Sequence, residues 1–231
     1  MDCLSDVDVC VFLTQDAILS DVDSLSQILK PFHDDRVAAV CGRQLPRKQA
    51  TQIEVHARLY NYLSKSYIRL INDVKSFGLK TAFISNSFAA YRISALNEVG
   101  GFPDNVIFGE DMYVAAKLLK ADYKIAYAAD ACVYHSHDYS FWQEFKRYFD
   151  MGVFHSHEPW IRQDFGGAEG EGVKFVASEV NYLLKHAIWR IPEVFFRTVL
   201  RYIGFRLGLL EKWIPLRLKK LFAMNKSFFK E

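Results

Sequence analysis

Val7-Asp8-Val9-Cys10-Val11-Phe12-Leu13-Thr14-Gln15-Asp16 decides how the chain is read. β-Branched and apolar residues run to Leu13, then give way at once to a polar turn that ends in a carboxylate. That is the pattern of a buried strand with an acidic residue just past its carboxyl end. Ligands of open α/β sheets gather at that end, so Asp16 is placed for a metal and phosphates; taken alone, it reads first as a plain turn residue.

Working outward, Ser20 or Asp21 is expected to cap a helix that runs to about Leu29 and is closed by Pro31. Residues 37–41 read as a second strand, ended by Gly42. Residues 54–71 read as a helix, with Val55, Leu59, Leu63, Ile68 and Ile71 at helical spacing, and Phe83-Ile84-Ser85 as strand or irregular chain. Glu110-Asp111 opens a helix whose apolar face uses Met112, Ala115, Ala116 and Leu119. Residues 124–128 and 132–135 read as two short strands. Ser140-Phe141-Trp142-Gln143 has the form of a capping box, starting a helix to about Phe154. Gly166, Gly167, Gly170 and Gly172 mark one flexible stretch, and Pro192 and Pro215 divide the helical remainder. Alternating strands and helices predict an α/β body.

With 231 residues, 51% hydrophobic and 24% charged, the chain suits one large domain or a domain with an appendage. Its 19 Phe and 12 Tyr fill a core or meet carbohydrate and membrane interfaces. Cys3, Cys10, Cys41 and Cys132 form no CxxC, so reduced thiols in a cytosolic setting are expected. The acidic opening residues are unlike a signal peptide, and no apolar run reaches the roughly 20 residues of a membrane span, so a soluble or peripheral protein is expected. Charge is unevenly spread. From Asn181 onward, eleven Lys or Arg face three Glu, a net +8, which leaves −6 on the rest of a chain whose total is +2. A basic tail of that kind meets an anionic partner.

Glu110-Asp111 at a helix start, taken alone, reads first as a cap or dipole partner; as a functional residue Asp111 would be a general base. His135-Ser136-His137 and His155-Ser156-His157 are two HxH pairs. On a strand such a pair points both rings to one face, which opens a rival reading as a four-histidine zinc or di-metal hydrolase. No cluster of carboxylates completes that ligand set.

The combination of motifs is more specific than any one of them. Phe12-Leu13-Thr14-Gln15-Asp16-Ala17, Asn86-Ser87-Phe88-Ala89-Ala90-Tyr91-Arg92, Val99-Gly100-Gly101-Phe102-Pro103, Phe108-Gly109-Glu110-Asp111 and Ala131-Cys132-Val133-Tyr134-His135-Ser136-His137 follow in that order. With residues 144–155, they resemble the inverting family 2 glycosyltransferases of bacteria, and among those the rhamnosyltransferases of O-antigen and polysaccharide pathways. The resemblance implies an α/β domain of GT-A type over residues 1–159 and a helical, basic, membrane-associating extension over 160–231. It implies a divalent cation, Mg2+ or Mn2+, held by Asp16 and His135, with Asp111 as catalytic base and Glu110, Asn86, Arg92 and His137 at the substrates. The implied donor is a nucleotide sugar, dTDP-rhamnose, and the implied acceptor a lipid-linked oligosaccharide at the inner face of the cell membrane. An anionic membrane surface is an expected partner and nucleic acid is not.

Two departures stand out. Thr14 occupies the place of the first Asp of the family's DxD metal motif. Barely a dozen residues precede Asp16, where the family has about a hundred residues of βαβ structure, so the chain is expected to lack the first βαβ part of the fold and to be inactive in this form. The alternative is a non-catalytic remnant or a membrane-associated interaction partner.

Overall fold

The structure is a computed structural model that describes residues 7–167 and 169–230. Cys3 and the acidic opening residues lie outside the described residues, as does Ala168 of the glycine-rich stretch. Two compact units are present, one drawn from Met1–Ala50, Arg58–Pro103 and Glu110–Ser136, the other from Thr51–Ala57, Asp104–Gly109 and His137–Glu231.

The first unit holds one mixed sheet: β1 (Val9–Leu13), β2 (Ile18–Leu19), β3 (Val37–Leu45), β4 (Tyr67–Arg69), β5 (Phe88–Arg92) and β6 (Lys124–Tyr134). Strand order is β1-β5-β3-β6-β2, with β4 also paired to β6. Only β3 and β6 run parallel; the other pairs are antiparallel. The helices in chain order are α1 (Ser24–Leu29), α2 (Gln52–Asn61), α3 (Val74–Phe77), α4 (Ile93–Glu98), α5 (Glu110–Lys120), α6 (Phe141–His157), α7 (Pro159–Phe165), α8 (Glu169–His186), α9 (Ile191–Leu209) and α10 (Leu216–Phe222). Ile28, Val37, Val40, Phe88, Ala90, Ala126, Ala131 and Val133 form the core between α1 and the sheet. The buried face of α5 is Val114, Ala115, Ala116, Leu118 and Leu119.

Several expectations are corrected by partners distant in sequence. β3 does not end at Gly42 but continues to Leu45. A Cβ at Gly42 would overlap the Phe88 ring and lie 2.9 Å from the Ala131 carbonyl oxygen, so this glycine permits a close approach rather than a turn. Beside it, the register on β6 jumps from Gly42↔Ala128 to Arg43↔Cys132. The jump absorbs residues 129–131, so the two short strands expected there are one strand with an irregularity. The helix expected over 54–71 stops at Asn61, and β4 follows. Ser66 Oγ accepts the Ala129 N–H at 2.9 Å, and Tyr67 stacks on Tyr127 with centroids 4.9 Å apart. α1 starts later than expected because Asp21 accepts the Asp23 N–H in a turn. Pro31 does not close that helix; it sits in the first turn of a 3-10 segment, Lys30–His33. β2, β5 and α4 have no counterpart in the sequence reading.

In the second unit α6 carries the expected capping box, Ser140 with Gln143. It packs along α9 at backbone distance: a Cβ on Gly204 would lie 2.5 Å from the Phe145 carbonyl oxygen, and one on Gly208 2.8 Å from the Gly152 Cα. Pro192 falls in the first turn of α9 and Pro215 caps α10, positions that proline tolerates. Gly166, at φ +82°, ends α7, whereas Gly170 and Gly172 are taken into α8.

Candidate active site

The start of α5 carries the first group of site residues. Asp111 Oδ1 accepts the Met112 N–H at 2.7 Å and Oδ2 accepts the Asn86 N–H at 3.3 Å. The Asn86 side chain is fixed from both ends: its Nδ2 donates to Glu110 Oε1 at 3.2 Å, and its Oδ1 accepts from the Tyr91 hydroxyl at 2.8 Å. Burial, with the charges of Asp111, Cys41 and Glu110, pushes the Tyr91 phenol well above its ordinary value, so it stays a donor. Asn86 sits in the turn just before β5 and Glu110 in the first turn of α5. Together with Phe12, Leu13, Thr14 and Phe102 they line a cleft of about 340 Å³ at the carboxyl end of β1.

The second group lies where β3 and β6 end. His135 N donates to the Leu45 carbonyl at 3.0 Å, and the His135 carbonyl accepts from Arg58 Nε at 2.8 Å. The ring is buried and bonded through Nδ1 to Gln44 Oε1 at 2.8 Å, while Gln44 Nε2 donates to Ser85 Oγ at 3.0 Å. That chain puts the proton on Nδ1 and turns Nε2 toward Asp16, whose Oδ2 lies 3.3 Å away. A carboxylate oxygen and an imidazole nitrogen at that separation need positive charge between them, supplied by a proton or by a cation. An outer partner that orients a ligating imidazole is the usual companion of a metal-bound histidine, so the donor set fits a divalent cation. Asp16 is held in turn by Arg47, whose Nη2 donates to the Asp16 carbonyl and lies 3.5 Å from Oδ2.

The structure thus brings Asp16 to His135, and Asn86 to Glu110 and Asp111. Arg92 is not brought to either group. It stands at the other end of β5 from Asn86, donating to the carbonyls of Val37 at 3.2 Å, Phe32 at 2.9 Å and Asp34 at 3.4 Å, where it braces the connection into β3. His137 belongs to the second unit, its ring 5.1 Å from that of Tyr139. The hydrolase reading loses its second pair: His155 and His157 lie on the last turn of α6, where residues two apart do not share a face. His157 Nε2 meets Glu211 at 3.0 Å, and the His155 ring packs 6.0 Å from Phe205. Gln44, Tyr91, Arg47 and Arg58 escaped the sequence reading. Tyr91 stands inside the Asn86–Arg92 motif without a role of its own, Arg47 and Arg58 lie outside every quoted motif, and Gln44 becomes a candidate only once β3 extends past Gly42.

Residues 11–222 match Glycosyl transferase family group 2. The O-antigen chain rhamnosyltransferase RfbN of Salmonella typhimurium is 50% identical over 224 residues, covering 97% of this chain and 71% of that protein. The O-antigen chain rhamnosyltransferase WbaN of Salmonella anatum is 50% identical over 222 residues, covering 96% of this chain and 70% of that one. Among solved structures, the mannosyltransferase PcManGT from Pyrobaculum calidifontis, in complex with GDP-Man and Mn2+, aligns at a TM-score of 0.47 and 16% identity over 96% of this chain and 60% of its own. On the family match and the identity to these two relatives, the chain belongs to the family 2 glycosyltransferases, with their GT-A-type α/β fold.

Proposed function

We propose that the chain belongs to an enzyme that transfers a sugar with inversion, L-rhamnose from dTDP-rhamnose, to a lipid-linked oligosaccharide in O-antigen synthesis at the cytoplasmic face of the cell membrane, and that it is inactive in this form. The observation that carries this reading is the Asp16–His135 pair at the carboxyl ends of the strands, with Nε2 turned to the carboxylate. Family membership and the names of the relatives support it. A divalent cation, Mg2+ or Mn2+, held by Asp16 and His135 would supply Lewis-acid charge for the departing nucleoside diphosphate. Asp111 takes the proton of the acceptor hydroxyl as that oxygen attacks the anomeric carbon from the face opposite the diphosphate. Its carboxylate is held at the start of α5 by the Met112 and Asn86 N–H groups, which orient it toward the cleft. Asn86 and Glu110, locked to each other in the cleft wall, orient the sugar, and His137 is assigned to the donor phosphates.

Two measurements test this. Mn2+ uptake followed by electron paramagnetic resonance should weaken about tenfold or more in Asp16→Asn and in His135→Ala, the scale seen when even outer partners of a metal site are lost. Uptake equal to wild type in both would remove the metal from this site. In an enzyme extended to the length of its relatives, the product from dTDP-rhamnose should carry the inverted anomeric configuration by NMR, and a retained configuration would end the single-displacement reading.

A second observation favours a membrane surface. No helix of the described residues is long and apolar enough to cross a membrane. α9, however, is amphipathic in an inverted sense. Its packed face holds Val194, Arg197, Gly204 and Gly208, whereas Phe195, Phe196, Tyr202 and Ile203 point outward. Trp189 and Trp213, at its two ends, are 75% and 77% exposed. Exposed Lys185, Arg206, Lys212 and Arg217 flank these rings. Aromatic rings set among cations suit the headgroup layer of an anionic leaflet, where each cation contributes about 1 kcal/mol. In flotation assays binding should rise with phosphatidylglycerol content, fall with salt, and drop at least tenfold in Trp189→Ser/Phe196→Ser/Trp213→Ser. If the face instead joins two copies, wild type will sediment as a dimer and stay unbound to vesicles.

A further inference from the structure

Arg47 sits in an unusual place for a cation. It follows Pro46 in the turn that leaves β3, and that turn is closed by the Ala50 N–H on the Arg47 carbonyl at 3.0 Å. Its own N–H donates to Ser136 Oγ at 3.3 Å, next to His135. Its guanidinium lies on Asp16, touching the backbone carbonyl and standing 3.5 Å from the same Oδ2 that faces His135 Nε2. The side chain is 37% exposed, so it can swing away without disturbing the core. A divalent cation arriving at Oδ2 would find that oxygen already shared with a fixed positive charge a few ångströms away. Repulsion at such range is strong in a partly buried site. Arg47 must therefore move off Oδ2 as the metal enters, and it needs an anion to move to. A diphosphate entering with the metal offers that anion in the geometry a guanidinium prefers, with two parallel N–H···O bonds.

We propose that Arg47 couples the metal to the diphosphate: it keeps Asp16 from taking a cation alone, and binds the diphosphate when the two arrive together. The proposal rests on the metal site assigned above to Asp16 and His135. It makes metal and donor bind more tightly as a pair than either does alone, so the site loads less readily with a bare cation that would then hold free phosphate or nucleotide.

The test uses two probes on the whole chain. Mn2+ alone is titrated by electron paramagnetic resonance. Binding of radiolabelled inorganic pyrophosphate is measured by equilibrium dialysis in excess Mn2+. Arg47→Gln should bind Mn2+ alone about threefold to tenfold more tightly than wild type, yet hold pyrophosphate about tenfold more weakly, the scale of a lost charge-assisted pair. A merely structural role would weaken both, because a disordered turn would misplace Ser136 and His135 as well. Arg47→Lys keeps the charge and loses the fork, so it should leave Mn2+ binding near wild type and still lose most of the pyrophosphate affinity. Arg47→Gln changes that run in the same direction, or no change in either probe while Asp16→Asn abolishes Mn2+ uptake, would overturn the coupling and leave the metal site standing. Equal Mn2+ uptake by wild type and Asp16→Asn would overturn both.

Discussion

In an enzyme extended to the length of its relatives, Asp111→Asn is expected to slow sugar transfer by about 10²–10⁴-fold, the range for losing a general base, at saturating donor and acceptor. The change replaces one carboxylate oxygen by an amide of nearly the same size. The amide oxygen can keep the Met112 N–H, a 2.7 Å bond that caps the first turn of α5. The weaker bond, from the Asn86 N–H at 3.3 Å, is the one lost, because an amide nitrogen would face a donor there. Asn86 itself remains tied to Glu110 and Tyr91, so the cleft wall keeps its shape. The deficit should therefore fall on kcat, with KM for the donor nearly unchanged and the melting temperature close to wild type. Transfer within a factor of three of wild type would show that Asp111 only starts the helix.

Glu110→Gln makes the useful contrast. It can keep an oxygen facing Asn86 Nδ2 and removes no base, so it separates the role of the cleft wall from that of proton acceptor.

What was legible in the sequence is what depends on near neighbours. β1 and the turn holding Asp16 follow from a β-branched, apolar run and a polar break within ten residues. The cap of α6 follows from Ser140 and Gln143, and the breaks at Pro192 and Pro215 from the missing N–H of proline. β4 was hidden because Ile68 and Ile71 fall at helical spacing after Leu63. What makes those residues a strand is the Ser66 hydroxyl meeting Ala129, more than sixty residues on. Gly42 was read as a stop because its reason for being glycine, the Phe88 ring, lies elsewhere in the chain.

The site shows the same division. Asp16, His135 and Asp111 were named from the order of motifs, but their support was not. Gln44 reaches His135 only because β3 runs four residues past Cys41 and pairs there with β6, Gln44 opposite Val133. Arg92 was carried along with Asn86 because one motif holds both. The intervening strand then separates their ends by about 13 Å, at roughly 3.3 Å per residue. The basic tail misled in a different way, because a count of cations is blind to burial. Arg197 and Arg201 were numbered among the groups facing an anionic partner, yet both turn inward onto Glu144, and Lys219 is engaged by Glu211 at 2.5 Å.

Those inward arginines give the largest expected loss of stability. Glu144, on the first turn of α6, accepts from Arg197 Nη1 at 2.7 Å and pairs with Arg201 Nη2 at 2.6 Å, and all three side chains are nearly buried. Glu193 also holds Arg197, at 2.7 Å. Among the described residues, the other carboxylate paired with Arg201 is Glu179, at 3.6 Å and fully buried, where burial pushes its acid up to about 7 despite Arg201. Near neutral pH Glu179 is therefore only partly charged, and it cannot replace Glu144. Glu144→Ala leaves Arg201 buried against a half-protonated neighbour, the situation in which removing one partner of a buried pair costs about 3–5 kcal/mol. For a chain of this size that corresponds to a fall of roughly 10 °C in the helical transition. The loss should also depend on pH. Glu179 has a folded value above its unfolded one, so in the wild type its contribution declines as pH rises from about 4.5 through 7. With Glu144 gone, one charge that raises Glu179 disappears, and ionised Glu179 is left, among the described residues, as the counter-charge paired with Arg201. The penalty of Glu144→Ala should thus be smaller at pH 8.5 than at pH 6 in urea titrations followed by far-ultraviolet circular dichroism. Adding Glu179→Gln should remove that difference. A cost below about 1 kcal/mol at both pH values would mean that Glu193 alone neutralises the pair of arginines, and that the contact of α6 with α9 is held by its glycines.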